Sequence, residues 1–227
     1  MFTLLPAFRY GWQQMQKHFW IFIAFTLALS SIDIWGNIKM RAAGIDELIM
    51  MENWWELIPR DLIIWMGIFA AVIVCINFIV VTLVLASIRN KFSWEYLLEK
   101  STRIPTYLGA YLLKLCIVSI GTLLFIIPGV IAFVGLYFME YLVIDKDMSI
   151  IDALKESWRI TAGFRLGIFF FEVNVFIISY LLSFPQSLWP DTVTTYGILV
   201  LINTMWLPVA WLAAGYIYRF VSEPRKQ

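Results

Sequence analysis

Two stretches, SWEYLLEKSTRI (residues 93–104) and SIIDALKESWRI (residues 149–160), agree without a gap at Ser93/Ser149, Leu98/Leu154, Ser101/Ser157, Arg103/Arg159 and Ile104/Ile160. Each runs directly into a long apolar segment. In the second copy Ile150, Ala153, Leu154, Ser157 and Trp158 follow the spacing of one helical face. Asp152, Lys155, Glu156 and Arg159 take the other face, so the segment reads as an amphipathic helix. Ser149 followed by Asp152 approximates a capping box. The first copy repeats the spacing, with Ser93 as cap and Trp94, Leu97, Leu98, Ser101 and Thr102 on one face. A weaker third copy opens the chain: Thr3 as cap, then Leu4, Ala7, Phe8, Gly11 and Trp12. Arg9 stands in the place of Lys155, and Trp12 in that of Trp158.

The surrounding composition decides what such helices sit beside. The chain has 227 residues, 61% of them hydrophobic and 15% charged, with a mean hydropathy of +0.80. Soluble domains average about 45–50% apolar and about 25% charged residues. The excess falls into blocks at about 18–36, 62–87, 104–127, 129–144, 163–184 and 195–219. A helix of about 20 apolar residues crosses a bilayer. The sequence therefore predicts an all-α, polytopic membrane protein of six transmembrane helices. The third and fourth blocks meet at IIPGV (residues 126–130). Proline there lacks an amide donor and glycine accepts positive φ, which predicts two helices joined by a very tight turn.

Lysine and arginine placement gives the orientation. Arg9, Lys17, Arg89, Lys91, Lys100, Arg103, Lys146, Lys155, Arg159, Arg165, Arg219, Arg225 and Lys226 fall on one side. Lys39, Arg41 and Arg60 fall on the other, and Lys114 lies inside a span. Both termini are expected in the cytoplasm. No charged leader followed by a cleavage site opens the chain, so the first block is expected to stay as an anchor.

On this layout each amphipathic helix lies on the cytoplasmic side before an outgoing span. The single membrane domain divides into three pseudo-repeats at about 3–87, 93–144 and 149–219, with an extracytoplasmic insertion at 37–61. Duplication and convergence under a shared interfacial constraint both account for the likeness. Trp12, Trp94 and Trp158, with Arg103 and Arg159, mark the candidate interfacial helices. In the insertion, DELIMMENWWELIPRDL (residues 46–62) reads as a helix lying on the outer leaflet, or as a docking surface. SLWPD (residues 187–191) reads as a second aromatic interface marker.

Catalytic patterns are scarce. His18 is the single histidine, and no phosphate-binding loop, nucleophile elbow or paired-histidine zinc helix occurs, so no catalytic, cofactor or metal site is predicted. Cys75 and Cys116 sit in apolar blocks and read as packing residues. A net charge of +1 gives no reason to expect nucleic acid. Membrane lipids, a membrane protein or a second copy of the chain are the expected partners. The candidate site is a set of polar residues within the spans, which are costly in lipid. Lys114 and Glu172 lie roughly 14–15 Å from the cytoplasmic ends of their spans at about 1.5 Å per residue. An ion pair between them fits that depth, with Asn77 and Asn174 nearby. Glu140, a turn from the end of its span, is expected to reach the interface.

The run LLFIIPGVIAFVGLYFMEYLVIDKDMSIIDALKESWRIT (residues 123–161) resembles a group of six-span bacterial membrane proteins. The group includes the YciC-like inner-membrane proteins and the membrane domain attached to some glycerophosphodiester phosphodiesterases. The shared elements are Pro128 and Gly129, the acidic turn at Asp145, and the helix pattern of Ser149, Ala153, Leu154, Lys155, Ser157, Trp158 and Arg159. The resemblance implies a bacterial inner-membrane location and the six-span layout. It carries no chemistry, and the phosphodiesterase activity of some relatives is not transferred. The resulting expectation is a non-enzymatic scaffold or accessory subunit. A small transporter or lipid-handling protein with a polar cavity is the alternative.

Overall fold

The computed structural model describes residues 4–42, 60–183 and 193–223, and every element among them is helical. In chain order these are α1 (Leu4–Lys17), α2 (Phe19–Ala42), α3 (Arg60–Ile88), α4 (Trp94–Ser101) and α5 (Ile104–Leu124). There follow α6 (Ile126–Gly135), α7 (Met139–Asp145), α8 (Ile150–Ile160), α9 (Arg165–Ser183) and α10 (Val193–Ser222). Five stretches are long and apolar enough to cross a membrane: Ile63–Ile88, Ile104–Leu124, Ile126–Asp145, Arg165–Leu182 and Val200–Ser222. This is a multi-pass membrane architecture. Within α2 the apolar stretch is shorter, Phe19–Ser30. Of the outer-leaflet helix expected at 46–62, residues 46–59 lie outside the described residues and 60–62 open α3; the SLWPD marker and the cap expected at Thr3 also lie outside them.

Both amphipathic cassettes of the middle chain form where their caps place them. Ser93 Oγ accepts from the Tyr96 amide at 3.2 Å and Ser149 Oγ from the Asp152 amide at 3.3 Å, so each satisfies an orphan first-turn donor. The Ser149 hydroxyl also donates to Asp152 Oδ2 at 2.6 Å.

The hairpin of α5 and α6 turns through one residue, Phe125, in extended conformation at φ −160° and ψ 145°. Pro128 and Gly129 therefore fall inside the first turn of α6, where proline costs no hydrogen bond. The glycine serves close approach rather than positive φ. A Cβ on Gly129 would lie 2.1 Å from Thr122 Oγ1 and 2.8 Å from Thr122 Cα. Only a residue without a side chain lets the two backbones meet there.

The fourth expected span is broken at residues 136–138. The Met139 amide bonds the Leu136 carbonyl at 3.2 Å instead of reaching back to Gly135. The freed Gly135 carbonyl accepts Ser157 Oγ at 3.0 Å and Thr161 Oγ1 at 3.1 Å, which docks α8 onto the break. Pro208 makes a second such opening inside α10, since it cannot bond the Thr204 carbonyl; the Thr26 hydroxyl of α2, which donates to the Phe22 carbonyl at 2.7 Å, lies 3.5 Å from that oxygen.

The core gathers where Leu85, Leu142, Ile144, Leu212 and Ile217 are fully buried, at the ends of α3, α7 and α10 that carry the basic connections. Toward the opposite end the helices expose Ile64, Ile68, Phe176, Leu181 and Leu201. The bundle is thus packed by protein at its basic end and clothed by its surroundings at the other.

Candidate functional site

Lys114 of α5 is paired, but with a different carboxylate from the one its depth suggested. Its Nζ lies 2.9 Å from Glu140 Oε2 and 3.1 Å from Oε1, and both side chains are largely buried. Glu140, expected to point out to the interface, is buried against Lys114 instead. The one-residue turn at Phe125 brings α7 back alongside α5, with Glu140 little more than a turn further from the tip than Lys114. The long lysine stem spans that offset. A buried lysine facing a buried carboxylate meets the requirement that intramembrane charge be compensated.

Glu172 takes a neighbouring place. Its carboxylate accepts a hydrogen bond from the Tyr137 hydroxyl, and the charge of Lys114 acts on it too. Lys114 Nζ also stands 5.9 Å from the centroid of the Phe133 ring, which packs edge-on against Tyr137. Lys114 and Glu172 therefore share one cluster, joined through Phe133 and Tyr137 and completed by Glu140, none of which sequence reasoning placed there. The signal available was the Pro–Gly hairpin, since an antiparallel neighbour is the first candidate partner for an intramembrane lysine. Asn77 and Asn174 do not join. Asn77 Nδ2 donates to the Ile73 carbonyl at 3.0 Å and Asn174 Nδ2 to the Phe170 carbonyl at 2.7 Å, each on its own helix.

A second polar assembly closes the basic end of the bundle. Arg89 grips Asp145 with two hydrogen bonds, Nε to Oδ1 at 3.1 Å and Nη2 to Oδ2 at 2.7 Å, and reaches Glu223 at 3.3 Å. Tyr218 donates to the same Asp145 oxygen at 2.8 Å. The ends of α3, α7 and α10 are thereby tied together. The Asp145 hydrogen bonds hold the Arg89 guanidinium pKa above its ordinary value, against the opposing pull of burial.

Beside this network a pocket of about 740 Å³ opens between the 89–93 turn, α4 and the end of α7. Lys91, Lys146, Glu95 and Glu99 contribute charges of both signs to its wall. Lys100 is buried there and grips both oxygens of Asp147 at 3.1 Å, while Arg103 bonds Asp147 at 3.0 Å. Tyr96 lines the same pocket; burial, aided by the Asp145 charge, pushes its hydroxyl pKa up to about 12.

The three expected interfacial helices divide. α1 buries Ala7, Gly11, Gln14 and Met15 along α10, where a Cβ on Gly11 would lie 2.4 Å from the Val209 carbonyl oxygen. Phe8 stacks on Phe171 and Trp206. α8 buries Ala153, Ser157 and Ile160, with Trp158 laid over Gly135 and the Arg165 guanidinium 4.0 Å above the Trp158 ring. Much of each apolar face packs on protein, while Leu5 and Ile151 stay exposed beside them. α4 differs: Trp94 is 81% exposed and Leu98 68% exposed. Trp12 and Trp158 keep partial exposure, and Arg159 is held by Glu156 at 2.7 Å. Among the described residues no group of three or more His, Cys, Asp or Glu side chains is placed to hold a metal.

Residues 59–217 match the family described as a domain of unknown function (DUF7847), well over half of the chain. The chain belongs to that family. No curated protein and no solved structure matches it.

Proposed function

We propose, with membership of the DUF7847 family as the premise, that the protein is a non-enzymatic scaffold or accessory subunit of the bacterial inner membrane. Its cytoplasmic face engages lipid or a membrane-protein partner. The observation that carries the reading is the outward face of α4. Trp94 and Leu98 are exposed beside a charged pocket, while the matching faces of α1 and α8 are occupied within the bundle. An exposed aromatic–aliphatic pair next to fixed charges suits a headgroup zone or a partner surface.

The excess of lysine and arginine on one side supports cytoplasmic termini and an even number of crossings, with α2 as the first. The likeness of residues 123–161 to the YciC-like group supports the bacterial inner-membrane location. Three repeated units are favoured by a common packing rule: α1 lies on α10, α4 on α3 and α8 on α7, each short helix on the closing helix of another unit.

The test is extraction of the full chain in native membrane discs and mass spectrometry of what is retained, for the wild type and for Trp94→Glu with Leu98→Glu. A stoichiometric partner lost from the variant supports the reading. A partner retained by both removes α4 from it. A lipid or small molecule retained equally by wild type and variant, without protein, favours the second reading.

That second reading is transport or lipid handling, and the observation favouring it is an imbalance. The cluster holds two carboxylates, Glu140 and Glu172, against one lysine. It requires solvent access, so cysteines placed at residues 77, 114, 172 and 174 must react with aqueous thiol reagents; uniform protection sinks it.

A further inference from the structure

The α5–α6 hairpin ends in an unbroken apolar tip, Leu123, Leu124, Phe125, Ile126 and Ile127, with exposures between 66% and 86%. No charged residue stands between Lys114 and Glu140 along the chain. The nearest side-chain hydroxyl, Thr122, is committed to its own helix, donating to the Val118 carbonyl at 2.9 Å. Loops that emerge into water carry polar turn residues, and helix ends at the headgroups carry Trp, Tyr, Lys or Arg. The other two connections on that side follow the rule, with Trp54, Trp55 and Arg60 in one and Trp189 and Asp191 in the other. The 123–127 tip has none of these.

The turn residue itself is paired on both sides. The Phe125 amide bonds the Gly121 carbonyl at 3.0 Å and the Phe125 carbonyl accepts the Gly129 amide at 3.4 Å. Pro128 has no amide hydrogen to leave unpaired. A turn of one residue leaves Phe125 alone outside the two helices, and the Ile126 and Ile127 amides stay unpaired as at any helix start.

Length points the same way. α5 has 21 residues, which is about 30 Å at 1.5 Å per residue. The hydrocarbon core is about 30 Å thick, and an ordinary tilt of about 20° shortens the reach of the helix further. Starting from Arg103 at the headgroups, α5 runs out below the far headgroup layer.

We propose that residues 123–127 remain in the hydrocarbon of the far leaflet and dock against lipid acyl chains. The α5–α6 hairpin then enters and leaves the membrane from one side without presenting a loop to the far aqueous phase. The inference rests on the hairpin alone and stands apart from the role of α4.

The test uses the full chain in liposomes, with Cys75→Ala and Cys116→Ala as background and a nitroxide at Leu124→Cys, Phe125→Cys or Ile126→Cys in turn. Oxygen, which concentrates in hydrocarbon, is expected to relax each label, and a water-soluble nickel chelate to leave it untouched. A label at Lys155→Cys on the exposed polar face of α8 is expected to show the reverse. Relaxation of the tip labels by the nickel chelate overturns the proposal. So does dipolar coupling between tip labels with loss of oxygen contact, which identifies a second copy as the occupant. Three adjacent positions keep the reading available if one variant misfolds. Labelling of unmodified tip cysteines by an impermeant maleimide in sealed vesicles is an independent contradiction.

Discussion

Lys114 and Glu140 face each other across the two legs of one hairpin, with both carboxylate oxygens within 3.1 Å of the lysine nitrogen. Removing one partner leaves a buried charge without its counterion, which costs about 3–5 kcal/mol, whereas replacing both by apolar groups of similar volume is often neutral. Lys114→Met alone and Glu140→Leu alone are therefore each expected to lower the melting temperature in detergent by many degrees. The double variant is expected to recover most of the loss. Losses that simply add in the double variant contradict the pairing. Lys114→Ala with Glu172→Ala keeps Glu140 unpaired and is expected to remain destabilised.

Gly129 lies against the backbone of Thr122, with the position of a Cβ 2.8 Å from both Thr122 Cα and N. Overpacking of this kind costs about 1–3 kcal/mol. Gly129→Ala is expected to destabilise the hairpin by an amount in that range, measured by thermal unfolding. Thr122→Ala added to it removes the Oγ1 clash and not the backbone one, so only partial rescue is expected. Full rescue, or no effect of Gly129→Ala, would mean the hairpin legs do not approach as closely as described.

The carbonyl of Gly135 is held by two hydroxyls, Ser157 and Thr161, of which Thr161 also bonds the Ser157 carbonyl at 2.9 Å. One lost hydrogen bond is worth about 0.5–1.5 kcal/mol, and an acceptor left wholly unpaired in a buried site costs about 1–3 kcal/mol. Ser157→Ala alone is expected to be mild. Ser157→Ala with Thr161→Val is expected to exceed the sum of the single effects, because the second loss strands the carbonyl. Strict additivity in a double-mutant cycle would show that water or another donor already serves it.

These contacts mark where sequence was informative and where it was not. The caps of α4 and α8 were legible because Ser93 and Ser149 act on amides within their own turns. The tight hairpin was legible from Pro128 and Gly129, though the glycine works by close approach and is not among the positive-φ residues, where Gly163 is found. Lys114 and Glu172 announced themselves as charges in apolar blocks, but Glu140 as partner depends on the register of the folded hairpin. The break at residues 136–138 carries no proline to announce it, and Tyr137 reaches Glu172 from there. The faces of α1 and α8 were read correctly as apolar. Periodicity does not say whether an apolar face meets lipid or protein, and Gly11 and Gly135, which admit the close contacts, were not read for that purpose.

His18, between α1 and α2, stacks on Phe92 with ring centroids 4.5 Å apart and an angle of 13°. Burial, and then the charge of Lys17, lower its pKa from the ordinary value of 6.5. The folded state thus binds the proton less readily than the unfolded chain. The stacking contact contributes fully above pH of about 6.5 and is lost as pH falls through the lowered folded value. The exchange of amides near residues 17–22 is expected to report loosening of this junction as pH falls below the ordinary histidine value of about 6.5. His18→Phe keeps the stack and cannot titrate, so it is expected to flatten that dependence at unchanged neutral-pH stability. A variant that loosens over the same range as the wild type would place the responsible group elsewhere.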